Sequence, residues 1–302
     1  MGNVVAVKLP RLITERIERS EAVDSVGRPV NGLARKVMRG GAFKDALSGT
    51  WLGHPLHPLL IAVPIGSWVS ASVLDVTPGD NAVAARRLVG LGVLTALPTA
   101  MAGLSDWSDT DGAEQRVGAL HAGLNLTAVA LYGASWVRRR RGPGSGTALA
   151  LAGAAVVAAA GYLGGHLSYA LGVGVDTNAF QTGPTDWQAV VAEATVKDGR
   201  PHAVSAAGIS LLVIEHAGQI HVLDNRCNHR GAPLADGEVD EIGQGCIVCP
   251  WHGSVFDLDT GAVRRGPATQ PQPIYETRVV AGQLEVRRNE PRSLRTNSAG
   301  AE

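Results

Sequence analysis

The chain runs through two hydropathy regimes. Between Pro55 and Gly172 four long apolar stretches follow one another, at roughly 55–76, 85–105, 117–137 and 147–172, and none has a charge in its middle. Each has about the twenty residues that a helix needs to cross a bilayer, so the pattern predicts a four-helix transmembrane bundle. Small residues crowd these stretches, as in LAGAAVVAAAGYLGG. Glycine and alanine let helices approach closely in lipid, where no hydrophobic drive holds them together. No polar stripe recurs at helical spacing, which argues against a buried soluble bundle. From about Trp187 to Arg288 the period shortens. Leu211-Leu212-Val213-Ile214 and His221-Val222-Leu223 are β-prone runs joined by the turn signal Glu215-His216-Ala217-Gly218-Gln219. Val255, Phe256 and Leu258 begin a further strand before the tight turn Asp259-Thr260-Gly261. The fold class that follows is α + β and multidomain: a four-transmembrane-helix bundle, then a small antiparallel β domain.

The first fifty or so residues are charged and mixed. Leu12 to Ile17 and Leu33 to Leu47 read as amphipathic helices that lie on the membrane surface or pack under the bundle. The N-terminus starts polar and basic, without a cleavable signal pattern. The expected organisation is a polar segment over 1–53, the membrane domain over 54–174, a linker over 175–186, the β domain over 187–290 and a disordered tail over 291–302.

Formal net charge is zero, which removes nucleic acid as a partner. Candidate chemistry sits in two boxes, Cys227-Asn228-His229 and Cys249-Pro250-Trp251-His252. Two thiolates and two imidazoles from two loops suit a [2Fe–2S] cluster with the cysteines on one iron and the histidines on the other. Zinc also accepts a Cys₂His₂ set, but its fingers pair Cys with Cys and His with His along the chain, whereas each box here mixes the two. The third cysteine, Cys246, lies in an apolar run and reads as a buried structural thiol. With two of the three cysteines as ligands, a disulfide framework is excluded.

CNHRGAPL, CPWHGSVFD and the later Gly266-Pro267-Ala268 resemble the two cluster loops and the covering proline loop of the Rieske family, over roughly a third of the chain. The resemblance implies a cluster held by Cys227, His229, Cys249 and His252, with Gly253, Ser254 and Pro267 shaping and shielding it. It also implies single-electron transfer. Members from cytochrome bc complexes carry an extra cysteine in each loop. Ala232 and Trp251 stand at the matching places, so that bridge is missing. Ser254 keeps one hydroxyl donor, but Phe256 replaces the family's tyrosine. Fewer donors stabilise the reduced cluster less, so the expected potential lies in the lower half of the roughly −150 to +300 mV Rieske span, a value that suits ferredoxin-type transfer better than high-potential quinol oxidation. After His252 no histidine remains. A Rieske oxygenase needs a further iron on two His and a carboxylate, so a catalytic oxygenase subunit is not expected. The function expected is a membrane-anchored relay between a membrane donor, quinol or haem, and an oxidoreductase partner. The alternatives are a ferredoxin-like component of an oxygenase system and a non-enzymatic redox sensor.

Threading four helices up and down gathers His54, His57, His121 and His166 at one end, on the side where an even number of spans returns the β domain. Intramembrane ionisable residues are functional candidates. His57, His121 and His166 sit deepest and could ligate haem b or bond a quinone headgroup, while the bland alternative is bonding to carboxylates such as Asp106. GHPLHPLLIAVPIG also resembles the opening of a four-helix bacterial membrane domain of uncharacterised function, known fused to Rieske domains in actinobacteria. The expected location is the cell membrane, multi-pass. Arg86, Arg87 and Arg138–Arg141 pull one end inward, and Arg35, Lys36, Arg39 and Lys44 pull the other. The Arg run before the last helix is similar to a twin-arginine export signal, which would carry the β domain outward, whereas the basic N-terminal segment without an export signal favours the cytoplasm, where the β domain is expected. Small-residue faces also leave room for a homodimer.

Overall fold

The computed structural model describes residues 4–142, 144–240 and 245–288. The tail expected over 291–302 lies outside the described residues. The chain separates at Val175/Asp176 into two compact units.

The first unit is helical. Three helices, α1 (Val4–Glu18), α2 (Glu21–Val37) and α3 (Ala42–Ser48), precede the apolar stretches. The single amphipathic helix expected over 33–47 is therefore split. Gly40 and Gly41 interrupt it, and Gly41 takes φ 126°, which a residue with a Cβ resists. The first apolar stretch forms α4 (Leu56–Leu60) and α5 (Ala62–Val76). Pro64 has no N–H to give to the carbonyl one turn back, so the two join with a break. The others form α6 (Ala82–Ser108), α7 (Gly112–Arg138) and α8 (Thr147–Tyr169). Four spans, Leu56–Val76, Ala82–Ser108, Gly112–Arg141 and Thr147–Tyr169, are long and apolar enough to cross a membrane.

The hairpins α4–α6 and α7–α8 repeat one another. Trp68 on α5 lies against Gly92 of α6, where an added Cβ would come within 2.3 Å of the indole. Tyr132 on α7 lies in the same way against Gly153 of α8, at 2.9 Å. The two rings stack at 4.2 Å and 3° from parallel. About two turns further on, Asp75 and Arg139 form a buried ion pair. Parallel repeats related by an axis along the membrane normal bring matching positions together at that axis. Both pairs are such positions.

The N-terminal helices close the other end by satisfying carbonyls that a helix terminus leaves unpaired. Asn31 Nδ2 donates to Trp107 O at 2.8 Å, and Arg35 donates to Ser108 O and Thr110 O, each at 2.9 Å. Lys44 Nζ reaches Asp109 Oδ1 at 2.5 Å, and Arg116 clasps Asp24 through two hydrogen bonds.

The second unit is built from short antiparallel strands. They are β1 (Gln188–Ala192), β2 (His202–Ala206), β3 (Ile209–His216), β4 (Gln219–Asp224) and β5 (Glu238–Asp240). Then come β6 (Cys246–Val248), β7 (Val255–Asp257), β8 (Val263–Arg265), β9 (Tyr275–Val280) and β10 (Gln283–Arg288). One helical turn, α9 (Glu193–Val196), follows β1. The sheets run β1-β10-β9, β2-β3-β4 and β5-β6-β7-β8. The expected runs fall in β3, β4 and β7. Ala217 and Gly218, both at positive φ, make the two-residue turn of the β3–β4 hairpin. Leu212, Ile214, Leu223, Leu234, Ile247 and Phe256 form a core that also takes in Cys227 and Cys249.

Candidate metal centre

Two loops project from this core, one after β4 and one between β6 and β7, and they are built alike. Cys227 N donates to Ala232 O at 2.8 Å and Gly231 N returns to Cys227 O at 2.7 Å. Cys249 N donates to Ser254 O at 2.8 Å and Gly253 N returns to Cys249 O at 3.1 Å. Gly231 and Gly253 occupy the same place in each loop, at φ 79° and 72°, the left-handed region that glycine enters without strain.

The loops bring the four predicted ligands together in pairs. Cys227 and Cys249 are buried and hydrogen-bonded to each other, and none of the three cysteines forms a disulfide. That bond and burial push the Cys227 thiol well up, while the same bond brings Cys249 down to about 7. Amide groups of His229 and Arg230 act on Cys227, and those of Trp251 and His252 on Cys249, each favouring the thiolate. The imidazoles of His229 and His252 meet edge to face, 5.0 Å between centroids and 89° apart. Each ring is half-buried with its Nδ1 inside, so the opposite edge is what solvent reaches.

Four donors on one zinc would converge on a point. Among the described residues no group of three or more His, Cys, Asp or Glu side chains does so. Two thiols side by side and two imidazoles side by side instead offer two donors to each of two irons, which fits a [2Fe–2S] cluster.

Further residues set the loops in place. Ser254 is fully buried, and its Oγ accepts from Ala268 N at 3.0 Å, holding the Gly266-Pro267 loop against the second cluster loop. Asn228 Nδ2 donates to Gln270 O at 2.6 Å and Pro271 O at 3.1 Å. Gln272, also buried, donates to Asp224 O and Arg226 O at 2.7 and 2.6 Å. The stretch expected as a linker is tied in as well. Thr177 Oγ1 donates to Cys227 O at 2.9 Å and Asn178 Nδ2 to Arg226 O at 2.6 Å. Sequence reading missed Thr177, Asn178 and Gln272. Asn178 and Gln272 are polar residues at buried positions and Thr177 is half-buried, and burial is not visible in sequence. Cys246 is buried in β6 opposite Asp257 and belongs to neither loop.

The bundle histidines take separate partners. His57 Nδ1 lies 2.9 Å from Thr99 O and His121 Nδ1 2.8 Å from Ala160 O. His166 Nε2 lies 2.7 Å from Glu18 Oε1. The carboxylate expected as their partner, Asp106, is not the one engaged.

Residues 186–276 match the family described as the Rieske [2Fe-2S] domain, and residues 53–177 match one described as a predicted membrane protein (DUF2231). Over 101 residues the chain is 31% identical to the anthranilate 1,2-dioxygenase ferredoxin subunit of Burkholderia cepacia, covering 33% of this chain and 91% of that protein. It is 30% identical over 101 residues to ferredoxin CarAc of Metapseudomonas resinovorans, covering 33% and 92%. A solved ferredoxin of Sphingomonas yanoikuyae B1 is 34% identical, covering 35% of this chain and all 100% of that one, at a TM-score of 0.31. The four apolar helices, with the DUF2231 match, support a multi-pass membrane protein.

Proposed function

This chain belongs to the Rieske [2Fe–2S] family, and we propose that within it the protein is a membrane-anchored carrier of single electrons, fed by quinol and discharged to an oxidoreductase partner. The observation that carries this reading is the sorting of donors, thiol beside thiol and imidazole facing imidazole, on two matched loops. In this reading Cys227 and Cys249 hold one iron, and His229 and His252 hold the other through their buried Nδ1 atoms. When bound, the cluster takes up and returns one electron at a time. The amides aimed at the two sulfurs offset thiolate charge. Gly253 gives the second loop its turn, and Ser254 and Pro267 shield it. The outer imidazole edges form the port for electrons and coupled protons. Trp251 stands beside His252, 59% exposed, the kind of aromatic that anchors a partner's surface.

Quinol is favoured over haem as the membrane donor, because Asn125 lies on Nε2 of His121 and Glu18 on Nε2 of His166, which leaves His57 without a second imidazole to share an iron. We read the β unit as cytoplasmic, and the basic residues Arg35, Lys36, Arg39 and Lys44 before the first span support that side. Cleavage of the C-terminus by protease outside intact cells would reverse that. A second reading, a ferredoxin component of an oxygenase system, is supported by the likeness to dioxygenase ferredoxins.

One experiment separates the readings. The detergent-purified full chain is mixed anaerobically with decylubiquinol, or with NADH and a soluble ferredoxin reductase, and cluster reduction is followed by electron paramagnetic resonance. Reduction by decylubiquinol supports the quinol relay. Reduction by the reductase alone moves the protein to the oxygenase-ferredoxin class.

A further inference from the structure

The two halves of the helical unit carry the same histidine device, and only one half completes it. His57 and His121 each lie about three turns before the central ring of their hairpin, Trp68 or Tyr132. Each imidazole sits on a glycine of the partner helix. An added Cβ would come within 2.9 Å of the His57 ring at Gly103 and 3.1 Å of the His121 ring at Gly164. Each Nδ1 meets the carbonyl one turn before that glycine, Thr99 O or Ala160 O.

A backbone carbonyl only accepts. Nδ1 therefore carries the hydrogen in both rings, and in a neutral imidazole Nε2 is then a bare acceptor. In the second hairpin that acceptor is used. Asn125 Nδ2 lies 3.1 Å from His121 Nε2, and the amide is oriented by also donating to His121 O at 2.9 Å. The matching place in the first hairpin, one turn after His57, is Ile61, which has no donor to offer. His57 is half-buried, and its Nε2 has no hydrogen-bond partner among the described residues.

We propose that His57 Nε2 is the hydrogen-bond acceptor of a quinol site, binding a quinol hydroxyl, while His121 is its self-satisfied structural counterpart. This rests on the reading that a quinol is the membrane donor, and it names the one histidine that binds it. A two-histidine haem site would need the Nε2 of both rings, and Asn125 occupies that of His121. The ligand is the reduced form, because a quinone has no hydroxyl to give to an acceptor.

The test is anaerobic calorimetric titration of the full chain in lipid nanodiscs with decylubiquinol and, separately, decylubiquinone. The informative variant is H57N, because the asparagine amide can keep the bond to Thr99 O while Nε2 is lost. The expected result is that wild type binds the quinol at least tenfold more tightly than the quinone. H57N should lose that preference with its melting temperature unchanged, and H121N and H166A should retain it. Quinol binding by H57N equal to wild type overturns the site, and the relay reading survives if quinol still reduces the cluster. Equal affinity of wild type for quinol and quinone also overturns it. If wild type binds neither and quinol leaves the cluster oxidised, the relay reading falls as well. A sharp haem b α-band in the purified protein, lost in H57N, replaces the hydroxyl with iron as the ligand.

Discussion

Trp68 and Tyr132 stack face to face in the helical unit, 4.2 Å between centroids and 3° from parallel. Each ring is seated on a glycine of its own hairpin, Gly92 or Gly153. In lipid such packing replaces the hydrophobic drive that holds a soluble core.

Gly92→Ala should therefore be disruptive for so small a change. Its Cβ would lie 2.3 Å from Trp68 Nε1, and the indole is held from behind by Tyr132. Overpacking of this kind costs about 1–3 kcal/mol. Thermal unfolding in detergent should show a clear loss for Gly92→Ala and little change for Gly133→Ala, where an added Cβ meets nothing within 4 Å.

Asp75 and Arg139 are buried partners at matching places of the two hairpins. Removing one charge strands the other, at about 3–5 kcal/mol. Asp75→Asn and Arg139→Gln should each lower stability by about that amount. Because the positions match, the double exchange Asp75→Arg with Arg139→Asp should recover part of the loss, read as a double-mutant coupling. An additive double variant would show that the two halves are not interchangeable there.

Ser254 accepts from Ala268 N and keeps its own hydrogen to give, whereas Phe256 is fully buried and gives none. One hydrogen bond to a charged group is worth about 1.5–3 kcal/mol, roughly 60–130 mV for a one-electron couple. Ser254→Ala should lower the midpoint by that order and Phe256→Tyr should raise it. The wild-type midpoint is expected in the lower half of the roughly −150 to +300 mV span. A redox titration above about +200 mV would contradict that placement.

Asp224 gives the β unit a pH-dependent stability. Burial raises its carboxyl to about 6, and its Oδ2 is buried without a hydrogen bond. Between about pH 4 and 6 the folded state holds a proton that the unfolded state lacks, so stability falls as pH rises through that window. Above it the penalty is complete, on the order of 2–3 kcal/mol. Asp224→Asn should be more stable than wild type at pH 7 and nearly equal at pH 4, with denaturant midpoints at both as the measurement.

The two regimes of the fold were legible because each is written in local periodicity. Unbroken apolar length marks a span whatever it packs against, and short β-prone runs with glycine turns mark hairpins such as β3–β4. The cluster boxes were legible because the chemistry fixes the residue types and the loop geometry fixes their spacing. The N-terminal helices were visible, but the break at Gly40–Gly41 was not, since amphipathic spacing continues across it.

Sequence by itself thus determined the membrane unit and the β unit, and it singled out four residues that the fold brings together as two pairs. Tertiary structure alone decided what depends on two distant segments meeting. The likeness of the hairpins lies in which residue faces which, Trp68 on Gly92 and Tyr132 on Gly153. The tautomers of His57 and His121 are set by carbonyls of other helices. Thr177 and Gln272 become parts of the cluster site only because folding brings their polar groups to Cys227 O and Arg226 O. A hydrogen bond has no periodicity along the chain; it exists only once both partners are placed.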